Sequence, residues 1–157
     1  MAGSNRTRLA CPALEYVLDN IWPVIHTISM SWQVFFHAEF EPEFDALDQE
    51  VQDELLAHAN LLKEFGPLLK RPIADTLHGS KHDNMKELRF KAADGVWRIA
   101  FAFDPEQKAI LLVGGDKSGG SEKRFYRQLI KAADARFDRH LAFLKADASK
   151  PKGANQQ

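Results

Sequence analysis

The strongest constraint on the fold of this chain is a set of three short apolar runs separated by turn residues. The runs cover residues 86–91, 96–103 and 109–113, and the residues between them include Asp94-Gly95 and Asp104-Pro105. Short apolar runs bounded by Asp, Gly and Pro are typical of an antiparallel meander, in which each strand pairs with the next along the chain. We therefore predict three consecutive β-strands, with turns at Asp94-Gly95 and at residues 104–108.

Strand alternation predicts which side chains of the meander face the core. In the middle run, one face carries only large apolar side chains: Trp97, Ile99, Phe101 and Phe103. The opposite face carries Val96, Arg98 and two alanines, Ala100 and Ala102. If Leu88 and Phe90 share the apolar face, Arg89 and Arg98 lie together on the other side of the sheet. Because an arginine is rarely buried without a partner, we predict that this side is basic, shallow and accessible to solvent.

Patterns on either side of the meander complete the prediction of an α+β fold. Residues 32–36 form a predicted first strand, followed by a helix that begins at Glu41-Pro42 and a second helix that is capped by Asp48 and ends at Gly66-Pro67. Residues 68–84 form a long basic connection, residues 114–120 a flexible glycine-rich connector, and Ser121 caps a long last helix. We expect a small, mostly antiparallel sheet packed against the two N-terminal helices and the long C-terminal helix.

The predicted domain is a single folded unit at residues 31–147, as suits a chain of 157 residues. Residues 1–30 are predicted to be an N-terminal extension outside the core, either flexible or forming a short helix. Residues 148–157 are mostly polar and are predicted to be a disordered tail.

Composition argues against several classes of protein. Cys11 is the only cysteine, so the chain has no internal disulfide and no cysteine-based zinc site. The histidines lack metal-ligand spacing, and we predict neither a metal nor another cofactor. No apolar run approaches the about 20 residues of a membrane helix, so we expect a cytoplasmic protein without membrane contacts. The glycine-rich connector lacks the spacing of a P-loop, which argues against nucleotide hydrolysis.

The charges are distributed unevenly along the chain. Residues 1–66 hold three Lys or Arg against eleven Asp or Glu, whereas residues 67–157 hold eighteen against eleven. A basic half can mark the site of an anionic ligand. The alternative is that the two halves form ordinary solvated faces of opposite sign.

Several segments of the chain resemble one protein family. They are Leu77-His78-Gly79, residues 87–90, residues 97–99, Lys117 after the last strand, and residues 121–126 at the start of the long helix. Together they resemble the RelE/HigB-type toxins of type II toxin–antitoxin systems, and most of all their phage-derived HigB-like branch. The resemblance covers residues 32–145. It implies a RelE-like fold, cleavage of messenger RNA on the ribosome with inhibition of translation, and neutralisation by a helix-turn-helix antitoxin.

The resemblance and the chemistry of RNA together indicate candidate catalytic residues. In metal-independent RNA cleavage the 2′-hydroxyl attacks the adjacent phosphate, and the protein stabilises the negative charge that develops there. We assign Arg89 and Arg98 to phosphate and transition-state binding. Lys117 matches the basic position that the family has after the last strand. Lys81 and His82 lie where the resemblance implies catalytic or RNA-positioning groups.

Six further residues are predicted to contact RNA: Lys70, Arg71, Lys86, Lys91, Lys123 and Tyr126. Alternatives stay open for several of the candidates. Arg98 could pair with Glu87 across the strands, Tyr126 could serve only as packing, and His82 could be exposed and idle. A broader alternative is that the whole chain is a non-enzymatic RelE-like module that binds RNA or a protein.

Overall fold

The computed structural model describes residues 31–151. The predicted extension at residues 1–30 and the end of the predicted tail, residues 152–157, lie outside the described residues. Within them the predicted α+β class is confirmed, because a five-stranded sheet carries helices on both faces. The arrangement is consistent with the RelE-like fold that the resemblance implies.

Within residues 31–151 the sheet is mixed, with one parallel strand pair. Its strands are β1 (Gln33–Phe36), β2 (Ala74–Thr76), β3 (Met85–Ala92), β4 (Gly95–Phe103) and β5 (Lys108–Asp116), in the spatial order β1-β5-β4-β3-β2. The helices are α1 (Glu41–Asp45), α2 (Gln49–Phe65) and α3 (Glu122–Ala148). β1 runs parallel to β5, and the pairs β5–β4, β4–β3 and β3–β2 are antiparallel.

The meander prediction is confirmed, although one turn is displaced by a residue. Arg89 lies opposite Arg98 in the pairing of β3 with β4, so the two arginines share one side of the sheet as alternation predicted. The first turn consists of Ala93 and Asp94 instead of the predicted Asp94-Gly95, because strand pairing resumes at Gly95. Ala93 and Asp94 both have positive φ, 48° and 58°, which matches the tight turns that join twisted strands.

The connection predicted at residues 68–84 contains an additional strand. β2 pairs with the first half of β3 and forms one edge of the sheet. Its three residues are too few to show an alternating pattern, so the sequence did not indicate it. The pairing places Asp75 directly opposite Glu87, on the same side of the sheet as the two arginines.

β5 is longer than predicted, because the strand continues through two glycines to Asp116. The flexible connector predicted for residues 114–120 is therefore wrong for its first three residues. The glycines allow close packing at this end of the strand. A Cβ on Gly114 would lie 2.5 Å from Ile99 Cδ1, and a Cβ on Gly115 would lie 2.9 Å from Phe125 Cε2.

The helices cover opposite faces of the sheet. On one face, α2 packs its buried side chains Val51, Leu55, Leu62 and Phe65 in a cluster with Leu88, Ile99 and Phe101. On the other face, α3 contributes Leu129, Ala133 and Phe137 to a cluster with Ala100, Ala102, Ile110 and Leu112. The prediction of an open basic face is therefore wrong: Ala100 and Ala102 leave room for a helix, and Arg98 beneath it is only 6% exposed.

The predicted helix boundaries are confirmed, but one predicted cap is not. α2 begins after Asp48, whose side chain makes no capping hydrogen bond, and it ends before Gly66. The Ser121 hydroxyl accepts a hydrogen bond from the Arg124 backbone N–H at 3.3 Å and caps α3 as predicted. None of the helices in residues 31–151 is long and apolar enough to cross a membrane.

Candidate functional site

A polar cleft of about 260 Å³ opens where β2 and β3 meet the beginning of α3. Its walls come from the β2 region, from β3, from the residue after β5 and from the first turns of α3. The side chains that matter chemically are three cations and a histidine, three carboxylates and a tyrosine: Arg71, Arg89, Lys117 and His78; Asp75, Glu87 and Glu122; and Tyr126. Four of the residues selected from the sequence thus meet here: Arg89, Lys117, Arg71 and Tyr126.

Asp75 in β2 holds two arginines at one wall of the cleft. Arg71 Nε donates to Asp75 Oδ2 at 2.6 Å, and Arg89 Nη1 donates to the same oxygen at 3.3 Å. Burial pushes the pKa of Asp75 upward, but the hydrogen bonds from Arg71 and the Thr76 backbone and the charges of both arginines lower it overall. Asp75 therefore stays ionised and fixes both guanidinium groups at the cleft.

Arg98 lies behind the cleft wall and not in the open cleft. Its side chain is 7% exposed, and its Nη1 donates to the Trp97 carbonyl oxygen at 2.8 Å. Its Nε donates to the Tyr126 hydroxyl oxygen at 3.3 Å and lies 3.8 Å from Glu87 Oε1. The alternative that Arg98 pairs with Glu87 is therefore confirmed, and Tyr126 joins the pair from α3.

Glu87 is a buried carboxylate at the centre of this group. Its side chain is 5% exposed, and its Oε1 accepts a hydrogen bond from the Tyr126 hydroxyl at 3.4 Å. Its Oε2 is buried and has no hydrogen-bond partner among the described residues. Burial raises the pKa of Glu87, and the charges of Arg98 and Arg89 and the hydrogen bond from Tyr126 offset this only in part. The cleft thus contains a carboxyl group that takes up a proton more readily than an ordinary glutamate.

Lys117 closes the cleft on the side of α3. Its backbone N–H donates to the Val96 carbonyl oxygen at 2.8 Å, so the lysine is anchored directly after β5. Its Nζ donates to Glu122 Oε1 at 2.7 Å and lies 5.8 Å from the centre of the Tyr126 ring. The hydrogen bond and charge of Lys117 lower the pKa of Glu122, which keeps this surface carboxylate ionised.

Lys81 and His82 lie outside the cleft, against the middle of α3. His82 Nε2 lies 2.9 Å from Asp138 Oδ1, and the Lys81 ammonium pairs with the same carboxylate. The His82 ring also meets Phe137 edge-on, with 4.9 Å between ring centroids. These contacts fasten the loop before β3 to α3, and His82 is neither idle nor beside Arg89.

Four predicted RNA contacts are also absent from the cleft lining: Lys70, Lys86, Lys91 and Lys123. Lys86 lies on the face of the sheet opposite Arg89, as strand alternation requires. The other three are exposed to solvent. Lys91 shares the side of β3 that carries Arg89, and Lys123 is in the first turn of α3.

Sequence reasoning missed four of the cleft residues: Asp75, His78, Glu87 and Glu122. All but Asp75 lie in segments that carried the family resemblance, and Glu87 precedes Arg89 by two positions, which puts the two side chains on one side of β3. That spacing was a signal that could have identified Glu87. In residues 31–151 no group of three or more His, Cys, Asp or Glu side chains is arranged to hold a metal ion.

The protein-family model described as phage-derived protein Gp49-like (DUF891) matches residues 42–138. The chain belongs to this family. The matched region of the Gp49-like family contains every residue that lines the cleft.

Two curated relatives come from Mycobacterium tuberculosis. The protein named "Putative toxin HigB2" is 43% identical over 109 residues, which are 69% of this chain and 53% of the relative. The protein named "Putative toxin HigB3" is 43% identical over 104 residues, which are 66% of this chain and 89% of the relative. The aligned part of this Gp49-like chain thus spans about half the length of HigB2. No solved structure matches the chain.

Proposed function

We propose that this protein is the toxin of a type II toxin–antitoxin system and that it acts as a metal-independent endoribonuclease on messenger RNA. The proposal is supported by two curated relatives that are named putative toxins and by a cleft in which three cations lie close together. We place the reaction on the ribosome in the cytoplasm, where it inhibits translation. A cognate helix-turn-helix antitoxin is the proposed partner that holds the toxin inactive.

The observation that carries the proposal is the convergence of Arg71, Arg89 and Lys117 on one cleft that also contains Tyr126. Attack of the 2′-hydroxyl on phosphorus places extra negative charge on the phosphate oxygens. Fixed guanidinium and ammonium groups stabilise that charge because they need no reorganisation during the reaction. A tyrosine ring beside them provides a surface on which a base can stack.

Each cation of the cleft has a distinct part in this proposal. Arg89, fixed by Asp75, binds the scissile phosphate, and the more exposed Arg71 binds a neighbouring one. Lys117 protonates the 5′-oxygen that leaves, since an ammonium group carries the proton which that oxygen needs. Arg98 acts from behind the wall, where it orients the Tyr126 hydroxyl.

The proposal is tested by incubating the purified full-length chain with translating ribosomes and mapping new messenger RNA ends. We expect cleavage that persists in EDTA and falls about 10²–10³-fold in Arg89→Ala and in Lys117→Ala. Lys108→Ala is a matched control for Lys117, because Lys108 begins β5, lies at its far end and also pairs with a glutamate, Glu106. Arg139→Ala is the matched control for Arg89, since Arg139 pairs with Glu39 outside the cleft.

A non-enzymatic binding module is the second candidate, and one observation favours it. The cations of the cleft already have carboxylate partners, Asp75 for the arginines and Glu122 for Lys117. A phosphate must exchange with these carboxylates before it can bind. RNA that binds the wild-type chain without any new ends would support the module and refute the nuclease. If Lys108→Ala and Lys117→Ala lose cleavage equally, the assignment of the site is refuted and the nuclease proposal stands.

A further inference from the structure

Glu87 is an unusual group in the described part of the chain. Its side chain is 5% exposed, and one of its two oxygens, Oε2, is buried without a hydrogen-bond partner. Folded proteins satisfy most buried polar atoms, so an unpaired carboxylate oxygen in a cleft calls for an explanation. Sheet pairing uses backbone groups and does not require a carboxylate here, and Glu87 lies between Ala100 of β4 and Asp75 of β2 in the strand pairing.

The groups around Glu87 come from every element that packs against it. Arg98 approaches from β4, Arg89 from the same strand, Asp75 from β2, and Tyr126 from α3. They form a directed chain of hydrogen bonds, in which Arg98 Nε donates to the Tyr126 oxygen and the Tyr126 hydroxyl donates to Glu87 Oε1. Among these three groups, only the Tyr126 hydroxyl is uncharged and can both donate a proton and accept one.

We propose that Glu87 is the proton acceptor for RNA cleavage and that the Tyr126 hydroxyl conveys the proton to it from the RNA 2′-hydroxyl. This inference rests on the proposed function. In this step we assign the contact with the 2′-hydroxyl to Tyr126, which lines the cleft, and Glu87 acts through it.

The step balances in protons and electron pairs. The 2′-O–H bond breaks, its proton passes to the Tyr126 oxygen, and the original Tyr126 proton passes to Glu87. The 2′-oxygen forms a bond to phosphorus, and the bond from phosphorus to the 5′-oxygen breaks with its electron pair on that oxygen. Lys117 supplies a proton to the departing 5′-oxygen, and exchange with water afterwards resets Glu87 and Lys117.

The surroundings suit each part of this transfer. Burial raises the pKa of Glu87, which brings it closer to the operating pH and makes it a better proton acceptor than a solvated glutamate. Arg98 Nε points at the Tyr126 oxygen and stabilises the negative charge that the oxygen carries while the proton moves. Asp75, opposite Glu87 in the strand pairing, keeps Arg89 directed toward the phosphate.

The test compares Glu87→Gln, Tyr126→Phe and the double variant in single-turnover cleavage by the full-length chain. We expect each single variant to lose about 10²–10⁴-fold in rate while RNA binding stays within about threefold. Because the two residues act in one transfer, the double variant should be no slower than the slower single variant. Glu106→Gln is the matched control, since Glu106 lies in the turn before β5 and lines no part of the cleft.

The pH dependence separates proton transfer from structural support. Wild-type cleavage should rise with pH through the ionisation of Glu87, and this limb should be absent in Glu87→Gln. A rate within threefold of wild type in Glu87→Gln, or an unchanged rise with pH, would overturn the inference. Losses that multiply in the double variant would overturn it as well.

Two further outcomes keep the inference and the proposed function apart. Wild-type protein that binds RNA and never cleaves it refutes the nuclease proposal and this inference together. A Glu87→Gln variant that cleaves RNA as fast as the wild-type protein refutes only the inference. Should Glu87→Gln fail to fold, Glu87→Asp retains an acid but moves it away from Tyr126. We then expect a reduced rate with the pH-dependent rise retained, and a wild-type rate in that variant would refute the inference.

Discussion

Replacing Phe137 by alanine tests whether α3 is part of the core. Phe137 is 2% exposed and belongs to the cluster between α3 and the sheet. Truncation removes its buried contacts, including the edge-on contact with His82, and leaves a cavity. The loss for a buried phenylalanine is about 3–5 kcal/mol of the free energy of unfolding. For a domain of this size that corresponds to a Tm lower by roughly 10–20 °C.

The same helix provides a matched control. Phe143 is 63% exposed, and Phe143→Ala should change the free energy of unfolding by no more than about 0.5 kcal/mol. Urea denaturation followed by circular dichroism gives both values, with thermal melts as a second measurement. A loss of less than about 1 kcal/mol in Phe137→Ala, or equal losses in the two variants, would refute the packing of α3 on the basic side of the sheet.

Three further predictions concern stability. Burial raises the pKa of Glu87 in the folded state, so the folded protein is more stable where Glu87 is protonated and loses that stability as pH rises through the folded pKa. Glu87→Gln should therefore have a higher Tm than wild type at pH 7, and the difference should shrink as pH falls. Gly114→Val would place a Cβ 2.5 Å from Ile99 Cδ1 and should lower the free energy of unfolding by about 1–3 kcal/mol in urea denaturation. Asp104→Ala removes a side chain that accepts backbone N–H groups of its turn at 2.9 and 3.0 Å and contacts His140 Nε2 at 2.8 Å, and should cost about 1–3 kcal/mol in the same assay.

Each of these predictions has a result that contradicts it. A Tm of Glu87→Gln below wild type at pH 7 would show that the partners of Glu87 outweigh its burial. Wild-type stability in Gly114→Val would mean that Ile99 has room to move. Unchanged unfolding of Asp104→Ala would show that the turn does not depend on its carboxylate.

The periodicity of the strands was sufficient to place Arg89 and Arg98 on one side of the sheet. Alternation is a local property, and the observed register sets the two arginines directly opposite each other. What covers that side is a tertiary property, and strand composition alone suggested solvent. Leu129, Ala133 and Phe137 recur at helical spacing and pack on the sheet, but helical spacing alone does not say which surface the helix will cover.

The candidate site was also predictable only in part, because tertiary contacts decide where several of its residues lie. Arg89 and Lys117 were identified from strand position and family resemblance, and both line the cleft. Glu87 was seen only as a partner of Arg98, because its burial depends on Tyr126 and the helix that carries it. Lys81 and His82 were selected by their place before β3, but the carboxylate of Asp138 on α3 holds them elsewhere.

The parallel pairing of β1 with β5 has a consequence for the order in which the chain can fold. Among residues 31–151, β1 is the first strand to be synthesised and it pairs with the last one, β5, so β1 has no strand partner until Leu111 and its neighbours have emerged. At roughly 5–20 residues per second, translation of the intervening ~75 residues takes several seconds. The cleft can form only later than this strand pair, because its lining includes Lys117 and Tyr126. A nascent chain therefore has no assembled cleft until the first turns of α3 have left the exit tunnel.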